Sequence, residues 1–315
     1  MKNGAVAVNP LDWGIQDMGE TLFPWIAYPT VLGEDVAGEV VEVGSAVSRF
    51  KIGDRVVGHA VGFVSNEPSG GAFQIYTVLL AHMASPIPST LSYESAAVLP
   101  LGLSTAACGL FPKDYLALQY PSVPPKPTGK ALLVWGGSTS VGSNAIQLAV
   151  AVGYEVITTA SPKNFDYVRK LGASQVFDYN SQTIVDDLID ALKGRTIAGA
   201  MAIGNALTVG NGAAAAAACL EVVDKSDGVK FVSMALRVPD KLPSGVGAKF
   251  ILGSGLKDNE LHRVIYGDFL PKALAEGKYI AAPDPQVVGK GLEYIQAGLD
   301  LQKRGMSAKK VVVSL

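Results

Sequence analysis

The alternation of apolar and polar positions divides the chain into two textures. Up to about residue 100, Val, Gly and Pro fall in short runs such as Gly38 to Val43 and Arg55 to Val57, punctuated by Gly44-Ser45, Gly53-Asp54 and Gly70-Gly71. Short runs closed by turn residues predict a twisted all-β module. From Lys130 the pattern changes: Ala131 to Trp135 is continuously apolar, a Gly/Ser turn follows, Asn144 to Val152 has helical spacing up to Gly153, and Glu155 to Ala160 is a second run. Strand, glycine turn, helix and strand make a βαβ unit, and strands without alternation are those of a parallel sheet covered on both faces. The rhythm continues with a helix opened by Ser161-Pro162 and closed by Gly172, a strand Gln175 to Phe177, and strand candidates at Gly199 to Ile203, Val229 to Met234 and Lys249 to Leu252. Helices are expected at Glu260 to Glu276 and Pro285 to Lys303, and a last strand at Lys309 to Ser314. Tyr120 to Thr128, with four prolines, reads as an extended surface excursion ahead of the first βαβ strand.

Length and composition narrow the possibilities. At 315 residues the chain suits two domains, because single cores stop growing above about 250 residues. Apolar residues make up 49% and charged residues 17%, the balance of a globular enzyme with a large core. The net charge of −2 and the absence of a basic run give no footprint for nucleic acid or anionic lipid, so small neutral or weakly charged ligands are expected. The longest apolar stretch, Ala213 to Leu220, is eight residues against the roughly 20 that span a bilayer, and no secretory signal opens the chain. A cytoplasmic protein is expected. Cys108 and Cys219 stand apart, without disulfide or zinc spacing, and read as buried small hydrophobes.

The chemistry concentrates at Gly136-Gly137-Ser138-Thr139-Ser140-Val141-Gly142, between a buried strand and a helix, where backbone N–H groups can hold a pyrophosphate. A threonine replaces the middle glycine of the Gly-x-Gly-x-x-Gly fingerprint, so a tight turn in another doubly wound protein is the alternative. At the end of the second strand, where a carboxylate would bind the ribose of NAD, stand Ala160-Ser161-Pro162-Lys163. A hydroxyl and an ammonium at a helix start suit a 2′-phosphate, so NADPH is the expected cofactor. The alternative is that Ser161 only caps the helix and Lys163 is only solvated.

The chain resembles the zinc-free, quinone oxidoreductase-like branch of the medium-chain dehydrogenase/reductase family, and within it the fungal enoyl reductases that act beside polyketide synthases. The resemblance rests on Asn9 to Trp13, Gly33 to Gly44, Phe50 to Val56, Leu132 to Gly142, Ser161 to Asn164 and the closing Gly298 to Leu301 and Lys309 to Val311. It implies an α/β chain with a Rossmann NADPH-binding domain, a doubly wound parallel sheet, at 100–266. A GroES-like β-rich catalytic domain would be formed by 1–99 and 267–315. Relatives carry two further strands before the segment that starts at Lys2, so the catalytic domain is expected to be N-terminally shortened, through an internal methionine start or a lost edge. Zinc-dependent members hold their metal at positions that fall on Asn9, Glu34 and Leu101, a set unsuited to zinc, so no metal is expected.

By the same resemblance Ser161, Lys163 and Tyr179 would contact the adenosine ribose and its phosphate. Gly137, Ser138, Thr139, Ser140 and Val141 would lie at the pyrophosphate. Thr105, Gly204, Gly255 and Leu256 would line the nicotinamide side. Tyr179 as packing is an equal alternative. Asn9 and Asp12 would shape the catalytic cleft, or else form only an Asn-Pro turn with Asp12 as its internal acceptor. Tyr28, Ser104 and an ordered water are the candidate proton donors. The implied activity is reduction of the C=C bond of an α,β-unsaturated carbonyl compound. Quinone reduction, a non-catalytic cofactor-binding partner of a synthase and, third, a zinc alcohol dehydrogenase stay open. The implied partners are the small-molecule substrate and a polyketide synthase, with no nucleic acid or membrane, and the chain would be a monomer or homodimer.

Overall fold

A computed structural model describes residues 1–204 and 211–315, the side chain of residue 211 excepted. The strands are β1 (Lys2–Ala7), β2 (Asp35–Glu39), β3 (Arg55–His59), β4 (Ala84–Pro86), β5 (Ala131–Trp135), β6 (Glu155–Ala160), β7 (Gln175–Asp178), β8 (Ile197–Ile203), β9 (Phe231–Ala235), β10 (Gly247–Phe250), β11 (Asp284–Lys290) and β12 (Lys309–Ser314). The chain forms two compact units, one of residues 1–104 with 257–315 and the other of 105–256.

The first unit holds a sheet of order β11-β12-β1-β2-β3-β4. All its pairs are antiparallel except β11 with β12, which run parallel. Its core gathers Val6, Val36, Ala60, Ala72 and Val313. The second unit is the doubly wound sheet, order β10-β9-β8-β5-β6-β7, with every pair parallel. β5 and β8 are buried along their whole length, as continuous apolar runs require. The strand order reverses between β5 and β8, which makes the crevice beyond their carboxyl ends the ligand position of this architecture.

Several sequence expectations are corrected. The first hundred residues are not all β: a helix covers Pro10–Leu22, started by Asn9 and Pro10, and a second, Pro100–Leu110, begins where they end. The second is almost wholly buried, its polar residues Ser104 and Thr105 included, so it shows no helical period. Pro285 to Lys303 is not one helix; β11 occupies its first half because β12 offers a ladder to Val287, and Gly291 at φ 108° ends the strand before the helix Ile295–Lys303. In the expected helix Glu260 to Glu276, Arg263–Phe269 is π-helical and Leu270–Ala275 is α-helical. Pro271 has no N–H for the carbonyl one turn back, which disturbs the regular ladder at that point. Gly38 to Val43 is strand only to Glu39. Among the described residues no helix is long and apolar enough to cross a membrane.

Candidate functional site

In the second unit the glycine turn joins β5 to the helix Ser140–Val152 at the point where the strand order reverses. Its glycines are required by packing. A Cβ on Gly136, where φ is +83°, would stand 2.8 Å from the Ile203 carbonyl oxygen; one on Gly137 would stand 2.2 Å from Thr158 Oγ1, and one on Gly142 2.3 Å from the Gly136 carbonyl oxygen. Thr139, in place of the middle glycine, is the N-cap: its hydroxyl donates to the Gly136 carbonyl at 2.8 Å and accepts from Gly142 N–H at 3.0 Å. Its side chain is therefore spent on the turn. The N–H groups of Ser140 and Val141 lie in the first helical turn, where no intrahelical carbonyl reaches them. Ser140 Oγ is buried and has no hydrogen-bond partner among the described residues. An orphaned hydroxyl beside free helix-start amides fits a dinucleotide's diphosphate.

At the end of β6, Ser161 is not a side-chain cap. Its Oγ accepts from Asn164 Nδ2 at 3.1 Å, leaving the O–H able to donate, and the turn it starts is a short 3₁₀ segment, Pro162–Asn164, followed by the helix Phe165–Lys170. Lys163 is exposed, and so is Tyr179, at 42%, just past β7. Sequence reasoning missed Asp178, which pairs in register with Ala160 and accepts from the Asn180 backbone N–H and Nδ2, both at 2.9 Å. Thr105 and Leu256 are buried. Gly204 is exposed at the end of β8, and a Cβ on Gly255 would meet nothing within 4 Å. Ser254 Oγ beside it is a second buried hydroxyl without a partner among the described residues.

In the first unit Asn9 and Asp12 belong to one buried polar cluster and Ser104 to a neighbouring one, the two touching through the adjacent Glu34 and Asp35. Asp12 completes a capping box, accepting from Asn9 N–H at 2.7 Å, while its other oxygen accepts from Gly33 N–H at 3.1 Å. Burial pushes its carboxyl well above the usual range, against the Asn9 N–H that lowers it. Asn9 Nδ2 donates to Asp35 Oδ2 at 2.9 Å, its Oδ1 accepts from Lys310 Nζ, and Lys310 pairs with Asp35 at 2.8 Å. Asp35 Oδ1 also accepts from Leu101 N–H at 2.6 Å. Tyr28, 49% exposed, lines a cavity of about 410 Å³ with Ile15, Gln16, Gly19, Glu20, Thr30 and Leu32.

The residues missed in the sequence are Asp35, His59, Tyr266 and Lys310, together with the true surroundings of Glu34. The available signal was an ionisable group inside or at the end of an otherwise apolar strand, as in Asp35-Val36-Ala37, Val56-Val57-Gly58-His59 and Lys310-Val311-Val312-Val313. His59 is fully buried between Glu34 Oε2, 3.1 Å from Nε2, and Ser104 Oγ, 2.9 Å from Nδ1. Burial pushes His59 down to about 4 and Glu34 well above the usual carboxyl range. The zinc positions do not fit a metal here: both polar atoms of the Asn9 side chain are committed, and Leu101 has no side-chain donor. Among the described residues no three His, Cys, Asp or Glu stand where they could hold an ion.

A glycine turn at the switch point of a parallel sheet in one unit, and a mostly antiparallel sheet with buried polar side chains in the other, define a two-domain α/β protein. Residues 1–89 match the model of the alcohol dehydrogenase GroES-like domain. The chain is 58% identical over 311 residues to the dehydrogenase azaJ of Aspergillus niger, covering 99% of this chain and 89% of that one. It is 41% identical over 318 residues to the trans-enoyl reductase himH of Aspergillus japonicus, covering 100% and 89%. The fold is that of the Escherichia coli quinone oxidoreductase crystallised with NADPH, at TM-score 0.72 and 21% identity, covering 100% of this chain and 89% of that one. The chain belongs to the medium-chain dehydrogenase/reductase family, whose members named here are oxidoreductases.

Proposed function

We propose that the protein is an NADPH-dependent, zinc-independent reductase of the C=C bond in α,β-unsaturated carbonyl compounds. One observation carries the cofactor half of this reading: at the end of β6, in place of a ribose-binding carboxylate, stand the donor-ready Ser161 hydroxyl and the exposed Lys163 ammonium, at the same carboxyl end of the parallel strands as the glycine turn. The name of the himH relative supports the substrate half. When bound, NADPH supplies hydride to the β-carbon. Ser140 and Val141 amides with Ser140 Oγ hold the diphosphate, Ser161 and Lys163 the 2′-phosphate, Tyr179 the adenosine, and Thr105, Gly204, Gly255 and Leu256 border the nicotinamide. The Gly137 to Thr139 turn acts through backbone. Tyr28 is the exposed phenol able to protonate the α-carbon; Asn9 and Asp12 are framework for the cleft. A polyketide synthase is the carrier of the substrate, testable by co-purification with it.

The test measures NADPH and NADH affinity and follows the absorbance of reduced nicotinamide with a panel of enones, enoyl thioesters and quinones. Ser161→Ala with Lys163→Ala is expected to weaken NADPH at least 10-fold and leave NADH unchanged, because hydrogen bonds to a charged group contribute about 1.5–3 kcal/mol. Equal affinity for the two cofactors in the unaltered protein sinks the cofactor assignment. Oxidation of NADPH by quinones alone, or binding without turnover, sinks the enone assignment.

A further inference from the structure

Four side chains of the first unit form one buried line. Glu34 Oε2 meets His59 Nε2 at 3.1 Å, His59 Nδ1 meets Ser104 Oγ at 2.9 Å, Ser104 Oγ meets the Tyr266 hydroxyl at 3.0 Å, and that hydroxyl meets the Pro100 carbonyl at 3.1 Å. Glu34, His59, Ser104 and Tyr266 are each at most 2% exposed. The last link fixes the sense of all the others. A carbonyl can only accept, so Tyr266 spends its single proton on Pro100 and must accept from Ser104. Ser104, having donated to Tyr266, must accept from His59 Nδ1–H. A neutral His59 then carries its proton on Nδ1, and its bare Nε2 faces Glu34, which must donate. A carboxylate has nothing to donate; a carboxylic acid does.

The same count of protons is met by a charged pair, His59 protonated on both nitrogens against an ionised Glu34. Two observations favour the neutral pair. Glu34 Oε1 is buried with no partner among the described residues, a costly place for half of a carboxylate charge. The other ionisable groups gathered here are Asp12, Asp35 and Lys310, which Asp35 already pairs. On the far side of the line stand Arg49, which donates to the Tyr266 carbonyl at 3.1 Å, and the buried phenol of Tyr279. Burial moves Glu34 up and His59 down, the directions a neutral pair requires.

We propose that Glu34 is a neutral, proton-donating positioning residue, which holds His59 in the one tautomer that directs the Ser104 hydroxyl to Tyr266, so that losing this proton unlatches Ser104. Ionisation would set the Glu34 carboxylate against the lone pair of His59 Nε2 and add a charge beside Asp35. Ser104 directly precedes Thr105, so the latch sets an alkaline limit on turnover as well as on stability. The activity arm rests on the reductase reading; the other arms do not.

The test compares the wild type with Glu34→Gln and Glu34→Ala. Gln keeps a donor to His59 and cannot ionise, whereas Ala removes the donor. Infrared difference spectra of wild type minus E34Q are expected to show a protonated-carboxyl band at neutral pH, the band of Asp12 cancelling because it is common to both. In melting and in turnover with NADPH and an enone, the wild type is expected to lose ground as pH rises through the alkaline range, and E34Q to lose the Glu34 part of that limb and keep the Asp12 part. E34Q is expected to restore at neutral pH the turnover that E34A lowers at least 10-fold. No protonated-carboxyl band in that difference, or an alkaline limb unchanged in E34Q, overturns the proposal, and so does an E34Q that binds NADPH but turns over no better than E34A. If the wild type reduces no enone, the reductase reading fails and the band and the melting limb still decide this one. If E34A does not fold, E34Q and the spectra decide it.

Discussion

Asp35 shows how much rests on single side chains. It sits fully buried inside β2, and its two oxygens are met by Leu101 N–H, the Asn9 amide and Lys310. Removing one partner of such a pair leaves an uncompensated charge in the interior, and that costs about 3–5 kcal/mol, far more than the net worth of the pair. Lys310→Met keeps the stem and removes the charge, and denaturant unfolding is expected to show a loss of this size. A loss under about 1 kcal/mol would show that the Lys310 charge is not what holds Asp35 in the interior. None of this pairing could be read from the chain, because Asp35 and Lys310 are common residue types separated by most of the sequence. What was legible was the anomaly of each inside an apolar run. Asn9 and Asp12 were legible in their bland sense: a short polar pair before a helix competes for backbone N–H groups nearby, and the capping box is local chemistry.

At the scale of elements, the second unit follows from the sequence because its signals are local. A fully apolar strand, a glycine turn and an amphipathic helix each announce themselves within about ten residues, and β5, β6 and β8 lie where the apolar runs place them. The first unit does not, because helix and β texture alternate there over stretches too short for periodicity to separate. The π-helical segment Arg263–Phe269 is the clearest case: nothing in its sequence marks the extra residue per turn, yet it carries Tyr266 into the buried line. Thr139 is a local signal of another kind. Losing its cap frees Gly142 N–H at the start of a 13-residue helix, so Thr139→Ala is expected to lower the stability of the protein by about 1 kcal/mol, measured by chemical unfolding. NADPH affinity should fall less than in the Ser161/Lys163 variant, since the threonine side chain faces the turn. A drop as large as that of the double variant would show that the hydroxyl touches the cofactor after all.

At the scale of the whole molecule, three fully buried ionisable groups that make stability depend on pH, His59, Glu34 and Asp12, lie in the first unit. His59 is buried and held down to about 4 from its ordinary 6.5, mainly by desolvation. The unfolded chain then binds the proton more readily than the folded one between these two values, so the His59 contribution is fully present above pH 6.5 and is lost as pH falls toward 4. The full span corresponds to an upper bound on the order of 3 kcal/mol. Glu34 and Asp12 act with the opposite sign: burial raises them, so their neutral forms favour the fold at low pH and the advantage fades as pH rises through their folded values. The acid limb and the alkaline limb therefore belong to different residues of the same network and can be separated. His59→Gln retains an amide to bond with Ser104 but cannot take up a proton. Its melting temperature is expected to be lower than wild type at pH 7, because an evolved contact is lost, and to change less between pH 6.5 and 4.5. Melting curves across that range decide the matter. An acid limb as steep in the variant as in the wild type would assign it to the other carboxylates and leave His59 without a part in the pH response.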